Sequence, residues 1–127
     1  MSTPTTGGER FERGARRLAE VDGSAGEDVV GPLGDLGRYI VEFAFGDIYS
    51  RDGLSLRDRE LATVAILTAL GGREPQLDVH LRAARNVGVT VDELRETIIH
   101  TVPYAGFPTA INAMHRLDAM IVDQQAG

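Results

Sequence analysis

The sequence predicts an all-α fold of about six helices, and three observations carry that reading. Apolar residues recur three and four apart along most of the chain. Glycines, prolines and cap-forming residues divide these stretches at short intervals. No stretch shows the two-residue alternation of a half-buried strand, and no repeat of fixed period is visible.

The elements follow in order. Residues 1–8 are small and polar and are expected to be flexible; residues 9–127 read as one domain. From Glu9 to Val21, residues Phe11, Ala15, Leu18 and Val21 form a helical stripe. Asp22 to Gly26 reads as a loop, and Gly31-Pro32 punctuates again. A second helix is expected from Leu33 to Tyr49, with Leu36, Ile40, Phe43, Ala44 and Ile48 on its apolar face. After a turn at Ser50 to Gly53, Ser55 stands as an N-cap with Asp58 three residues on. The helix from Leu56 to Leu70 is apolar over much of its circumference, which predicts burial in a core or at a subunit contact.

Gly71-Gly72 ends that helix, and Glu74 to Val87 forms the next, with Leu77, His80, Leu81 and Ala84 on one stripe. Gly88 suits the left-handed position after a helix. Thr90 and Glu93 make a capping box that opens a helix carrying Leu94, Ile98 and Ile99. Pro103 and Gly106-Phe107-Pro108 are expected to break the chain before a last helix from Thr109 to Asp123.

Composition narrows the chemistry. The chain has 127 residues, 43% of them apolar, which suits one globular domain. No apolar run approaches the roughly 20 residues of a membrane span, and the N-terminal stretch lacks the apolar core of a secretory signal. A cytoplasmic protein is the expectation. The net charge of −6 disfavours a nucleic-acid partner. All 13 basic residues are arginine, so no side-chain amine exists for a Schiff base. There is no cysteine, hence no disulfide, thiolate nucleophile or cysteine-ligated metal. None of the four serines lies in a G-x-S-x-G context. What remains is proton transfer and electrostatics.

Three histidines could serve. His80, on an apolar stripe, reads either as a general acid or base oriented by a carboxylate, or as a core histidine bonded to a carbonyl. His100 closes its helix, where the macrodipole favours its cation; it reads as a cap or as a substrate contact. His115 reads as structural or exposed. No two histidines stand four apart on one helix, so no metal site is expected. Glu60 precedes a strongly apolar run and is either a half-buried proton relay or a first-turn acid favouring the helix dipole. Glu74 reads as a first-turn acid. Tyr104 either offers its hydroxyl to a pocket or packs at a Gly-Pro corner.

The order Arg57-Asp58-Arg59-Glu60-Leu61, Gly72-Arg73-Glu74, His80-Leu81-Arg82-Ala83-Ala84, Asn86, Gly88-Val89-Thr90 with Glu93, and Tyr104-Ala105-Gly106-Phe107-Pro108 resembles the carboxymuconolactone decarboxylase family. So do Glu9 to Gly14 and Phe43 to Leu54, and the resemblance runs roughly from residue 9 to residue 120. It implies the helical fold of the alkylhydroperoxidase D-like superfamily, assembled into homo-oligomers, trimers or hexamers. In the decarboxylase branch it implies loss of carbon dioxide from 4-carboxymuconolactone, in aromatic catabolism, without metal or organic cofactor. By resemblance His80 matches the active-site histidine, and Glu60 matches a glutamate that relays protons in the peroxidase relatives. The peroxidase CxxC pair would fall at Gln76 and Arg73, so that chemistry is excluded.

Two departures bear on substrate. Leu18 stands where the decarboxylase pattern Gly-x-x-x-Arg places an arginine, with Arg16 and Arg17 just before it. Asn86-Val87-Gly88 replaces Asn-Asn-Gly. The expectation is therefore a cofactor-free decarboxylase of a small acidic, carbonyl-bearing compound. Its catalytic residues would be His80, Glu60 and Tyr104. The substrate contacts would come from Arg16, Arg17, Arg73, Arg82 and His100. A cyclase, dehydratase or isomerase on the same scaffold is the alternative, and a non-catalytic ligand-binding oligomer another.

Overall fold

The computed structural model describes residues 8–126. Every regular element among them is helical: α1 (Glu9–Asp22), α2 (Ala25–Val30), a 3₁₀ turn (Gly31–Leu33), α3 (Asp35–Tyr39), a π-helical segment (Ile40–Ile48), α4 (Leu56–Leu70), α5 (Glu74–Asn86), α6 (Val91–Ala105) and α7 (Phe107–Ala126). Residues 1–7 of the stretch expected to be flexible lie outside the described residues; Gly8 caps α1 in extended backbone. The chain divides into two compact units at the Leu56–Arg57 boundary.

The first unit is built on a glycine-mediated contact between α1 and the π segment. A Cβ on Gly14 would fall 2.0 Å from the Val41 carbonyl oxygen, and one on Gly46 would fall 2.7 Å from that of Arg10. Only hydrogen side chains allow the two backbones so close. Arg10 and Arg13 lock the contact from outside. The Arg10 guanidinium donates to both oxygens of Asp47 at 2.6–3.0 Å, and Arg13 Nε donates to the Gly46 carbonyl at 2.8 Å.

Here the expected second helix is corrected. Its buried residues are Gly37, Val41, Phe45 and Gly46, while Leu36 and Phe43, expected to face inward, are exposed. Leu36 lies in α3, and from Ile40 the turn is wide: the Tyr49 amide reaches back to the Ala44 carbonyl at 2.8 Å, an i→i−5 bond. Wider turns shift the buried stripe toward every fourth residue and away from the α-helical pattern. The loop expected at Asp22 to Gly26 is also shorter than its composition suggests. It turns only at Gly23-Ser24, and Gly26 then fits against Leu18 within α2.

The second unit holds the larger core. α5 and α6 both pack on α7, burying Leu77, Leu81, Leu94, Ile98, Ala113 and Leu117. Gly71 and Gly72, both at φ +68°, turn the chain from α4 into α5. The Thr90 capping box forms as expected, with Thr90 Oγ1 accepting from the Glu93 amide at 3.0 Å and Glu93 Oε1 accepting from the Thr90 amide at 2.9 Å. Pro103 does not break the chain: it lies inside the last turn of α6, and Gly106 at φ +91° makes the break. Pro108 then sits in the first turn of α7, where a missing amide costs nothing.

α4 is apolar over more of its circumference than its own chain buries. Its buried residues are Glu60, Val64 and Thr68, one narrow stripe, whereas Ile66 and Leu70 remain 56% and 57% exposed. The apolar helix is thus not the centre of a core formed by this chain alone.

Candidate active site

The stripe of α4 that is buried begins with an acid. Glu60 is fully buried, and its Oε1 lies 2.7 Å from Nδ1 of His80 on α5. The two residues are twenty apart in sequence. α4 carries Glu60 inward because Val64 and Thr68 continue the same side at four-residue spacing. α5 presents His80 beside Leu77 and Leu81, both buried, while keeping its own side chain 21% exposed.

A buried carboxylate is costly unless it is hydrogen-bonded or paired, and an imidazole at this distance supplies such a partner. A carboxylate only accepts, so with Glu60 ionised the histidine carries its proton on Nδ1 and donates it to Glu60. That fixes the tautomer and leaves Nε2 as the exchangeable basic atom. The arrangement is an imidazole oriented by a buried carboxylate, with the His80 side chain 21% exposed.

The other expected site residues are placed as follows. Tyr104 is 80% exposed, and its ring lies 5.8 Å from that of His100, tilted by 57°. The two line a shallow groove of about 230 Å³ with Ala65, Ile66, Ala69 and Thr101. On an ideal helix Ala65 and Ala69 stand about 140° and 180° round from Glu60, so this groove lies on the opposite side of α4. Tyr104 and His100 therefore form a second locality. Arg82 lies two residues beyond His80, about 200° round α5, and pairs with Asp123 at 3.5 Å. Arg73 is exposed at the N-terminus of α5, where Nη1 donates to the Gly71 carbonyl at 3.0 Å. Arg16 and Arg17 belong to α1 of the first unit; Arg16 is exposed and Arg17 pairs with Glu20 at 2.7 Å. Leu18 is buried and lines an apolar cavity of about 230 Å³ with Phe11, Ala15 and Val41. Among the described residues no three His, Asp or Glu side chains converge as a metal site, and no helix is long and apolar enough to cross a membrane.

Sequence reasoning passed over two arginine–carboxylate pairs around this site. Arg116 of α7 binds Asp78 of α5 through two bonds of 2.7 Å. Asp78 holds the guanidinium above its ordinary value. Arg57 of α4 donates to Glu93 of α6. Both join residues more than thirty positions apart, a separation that local spacing does not reveal.

Comparison with known proteins identifies the family. The model of the carboxymuconolactone decarboxylase family matches residues 34–119. The chain is 47% identical over 89 residues to the 4-carboxymuconolactone decarboxylase of Acinetobacter baylyi, an alignment covering 70% of this chain and 66% of that protein. It is 38% identical over 77 residues to the nitrosuccinic acid decarboxylase of Metarhizium robertsii, covering 59% of this chain and 52% of that one. An uncharacterized 15.0 kDa protein of Paracoccus denitrificans is 30% identical over 86 residues, covering 67% and 64%. The chain thus spans between half and two thirds of the curated relatives it matches. The family match covers most of the chain and takes in both Glu60 and His80, and on that basis the protein belongs to the carboxymuconolactone decarboxylase family.

Proposed function

We propose that the protein is a carboxy-lyase that removes carbon dioxide from a small acidic compound with its own electron sink, most like 4-carboxymuconolactone, with no cofactor taking part. The observation that carries the reading is the buried Glu60 bonded to the partly open His80. Two relatives named as decarboxylases support it, and their names supply the chemistry. A lactone carbonyl and a nitro group both accept the electron pair left when a carbon–carboxylate bond breaks.

The step balances within substrate and protein. The bond to the carboxylate breaks, its electrons pass into the conjugated acceptor, and carbon dioxide leaves. His80 then delivers a proton from Nε2 to carbon and is reprotonated from solvent. Glu60 stabilises the imidazolium and keeps the ring aimed. An arginine near the site, Arg73 among those expected, supplies the cation for a substrate carboxylate. Tyr104 and His100 are assigned to the groove on the far side of α4, as contacts made by a second copy of the chain. The exposed Ile66, Leu70, Ile99 and Phe107 mark the surface such a copy would cover in a homo-oligomer.

Leu18 favours a second reading on the same scaffold. It is apolar and buried where the decarboxylase pattern places an arginine, so a substrate lacking that carboxylate, turned over by cyclisation, dehydration or isomerisation, would suit it. Incubation with 4-carboxymuconolactone, followed by absorbance and carbon dioxide release, separates the readings. Release of one carbon dioxide per substrate consumed supports decarboxylation. Binding without turnover selects a ligand-binding protein, and turnover without carbon dioxide selects the second reading.

A further inference from the structure

The Glu60–His80 hydrogen bond joins two helices that are held in unequal ways. α5 packs directly on α7 and is clamped to it by the two-bond Asp78–Arg116 pair. α4 buries a narrow stripe, Glu60, Val64 and Thr68, with Leu61 and Leu67 at the margin of the core. Its opposite face is exposed. The seat of the first turn of α4 is one determinant of where Glu60 lies.

Arg57 is placed to do this. It stands three residues before Glu60, about 60° round the helix, and Val64 lies on the same side. Its Nη2 donates to Oε2 of Glu93. The other oxygen of that carboxylate, Oε1, already accepts from the Thr90 amide, while Thr90 Oγ1 accepts from the Glu93 amide. Glu93 is thus immobilised by the cap of α6 before it meets Arg57. Its carboxyl is held below the ordinary glutamate range by the Thr90 amide and by Arg57. The pair is part-exposed, with side chains 36% and 41% accessible, and an ion pair of that kind contributes little stability. What it supplies is a tie: the start of α4 is joined to the start of α6 through a carboxylate already bonded to the α6 cap.

We infer that Arg57 is a positioning residue, which through Glu93 sets the seat of the first turn of α4 so that Glu60 meets His80 Nδ1 at hydrogen-bonding distance. Its consequence for turnover rests on the proposed function; its consequence for the hydrogen bond does not. Displacing a catalytic group by about 1 Å costs up to a hundredfold in rate, so a pair with little effect on stability can have a large effect on chemistry.

The test reads the hydrogen bond itself. The imidazole ¹⁵N spectrum reports whether Nδ1 of His80 is bonded, and its signal is assigned by its loss in His80→Gln. Two variants remove the tie. Arg57→Ala deletes the donor. Glu93→Gln keeps an oxygen for the Thr90 amide, and so preserves the cap, but removes the charge that holds Arg57. Both are expected to move the His80 Nδ1 signal toward that of an unbonded ring and to lower kcat about ten- to hundredfold with KM nearly unchanged. Arg57→Lys, which retains a cationic donor, is expected to recover most of both. A native Nδ1 signal in both folded variants overturns the inference, whatever their melting temperatures. If the signal moves while His80→Gln retains full activity, the positioning role stands and the catalytic reading of His80 fails.

Discussion

Glu60 Oε1 lies 2.7 Å from His80 Nδ1, and of the two residues only the histidine reaches solvent. The acid is shielded and the histidine partly accessible, so under the proposed function Glu60 would act through His80. Glu60→Gln keeps the size of the side chain and removes the charge. With its amide presented to Nδ1, the glutamine donates and stabilises the opposite tautomer. The expected result is a fall in kcat of about a hundredfold or more, with a melting temperature close to that of the native protein. Steady-state kinetics and thermal melts on the same preparation check this.

A backbone contact makes a sharper stability prediction. A methyl group at Gly14 would meet the Val41 carbonyl oxygen at 2.0 Å, and backbone cannot step aside as a side chain can. Gly14→Ala should force α1 and the π segment apart and cost about 1–3 kcal/mol or more. Gly53→Ala is the control, since nothing lies within 4 Å of a Cβ there. Urea titration of both variants gives the comparison.

Acid should weaken the protein through two carboxylates. Arg10 holds Asp47 below its ordinary value of 3.8, and the Thr90 amide and Arg57 hold Glu93 below 4.5. Both groups bind protons more readily unfolded than folded. Their contribution is therefore complete above about pH 4.5 and is lost as pH falls through the lower folded values. Asp47→Asn should flatten part of that loss. Urea midpoints across the acid range, for native protein and variant, measure it.

The outer face of α4 predicts assembly. Ile66 and Leu70 are more than half exposed on a helix whose composition suits burial. Sedimentation at micromolar concentration should show a homo-oligomer, and the double variant Ile66→Glu, Leu70→Glu should sediment as a smaller species with its helical content retained. A native chain that sediments as a stable monomer would contradict this.

The sequence shows the second unit clearly. Thr90 with Glu93, Gly88 and the Leu77–Leu81–Ala84 stripe are local signals, and each appears where its spacing places it. The first unit was harder because its helix widens: the inward residues Val41 and Phe45 follow the π turn, and a period of 3.6 residues puts Leu36 and Phe43 inside instead. Pro103 misled for a related reason, since a proline in a final turn removes one bond and leaves the helix standing. In the site, residue type and neighbourhood left Glu60 and His80 each with two readings and the resemblance singled them out, but their pairing is a tertiary fact. The Arg57–Glu93 and Asp78–Arg116 pairs leave no local trace at all, because Arg57, Asp78 and Arg116 read as ordinary exposed helix charges.

His80→Gln tests the central claim most directly. Glutamine has similar bulk and keeps one hydrogen bond to Glu60, so the variant should fold. If His80 moves the proton, turnover of 4-carboxymuconolactone or of the true substrate falls about a hundred- to ten-thousandfold while the melting temperature changes little. If His80 is only a core residue, the variant melts earlier, by the cost of about 1–3 kcal/mol for a weakened buried partner, and each folded molecule turns over at the native rate. A folded, fully active His80→Gln contradicts the account.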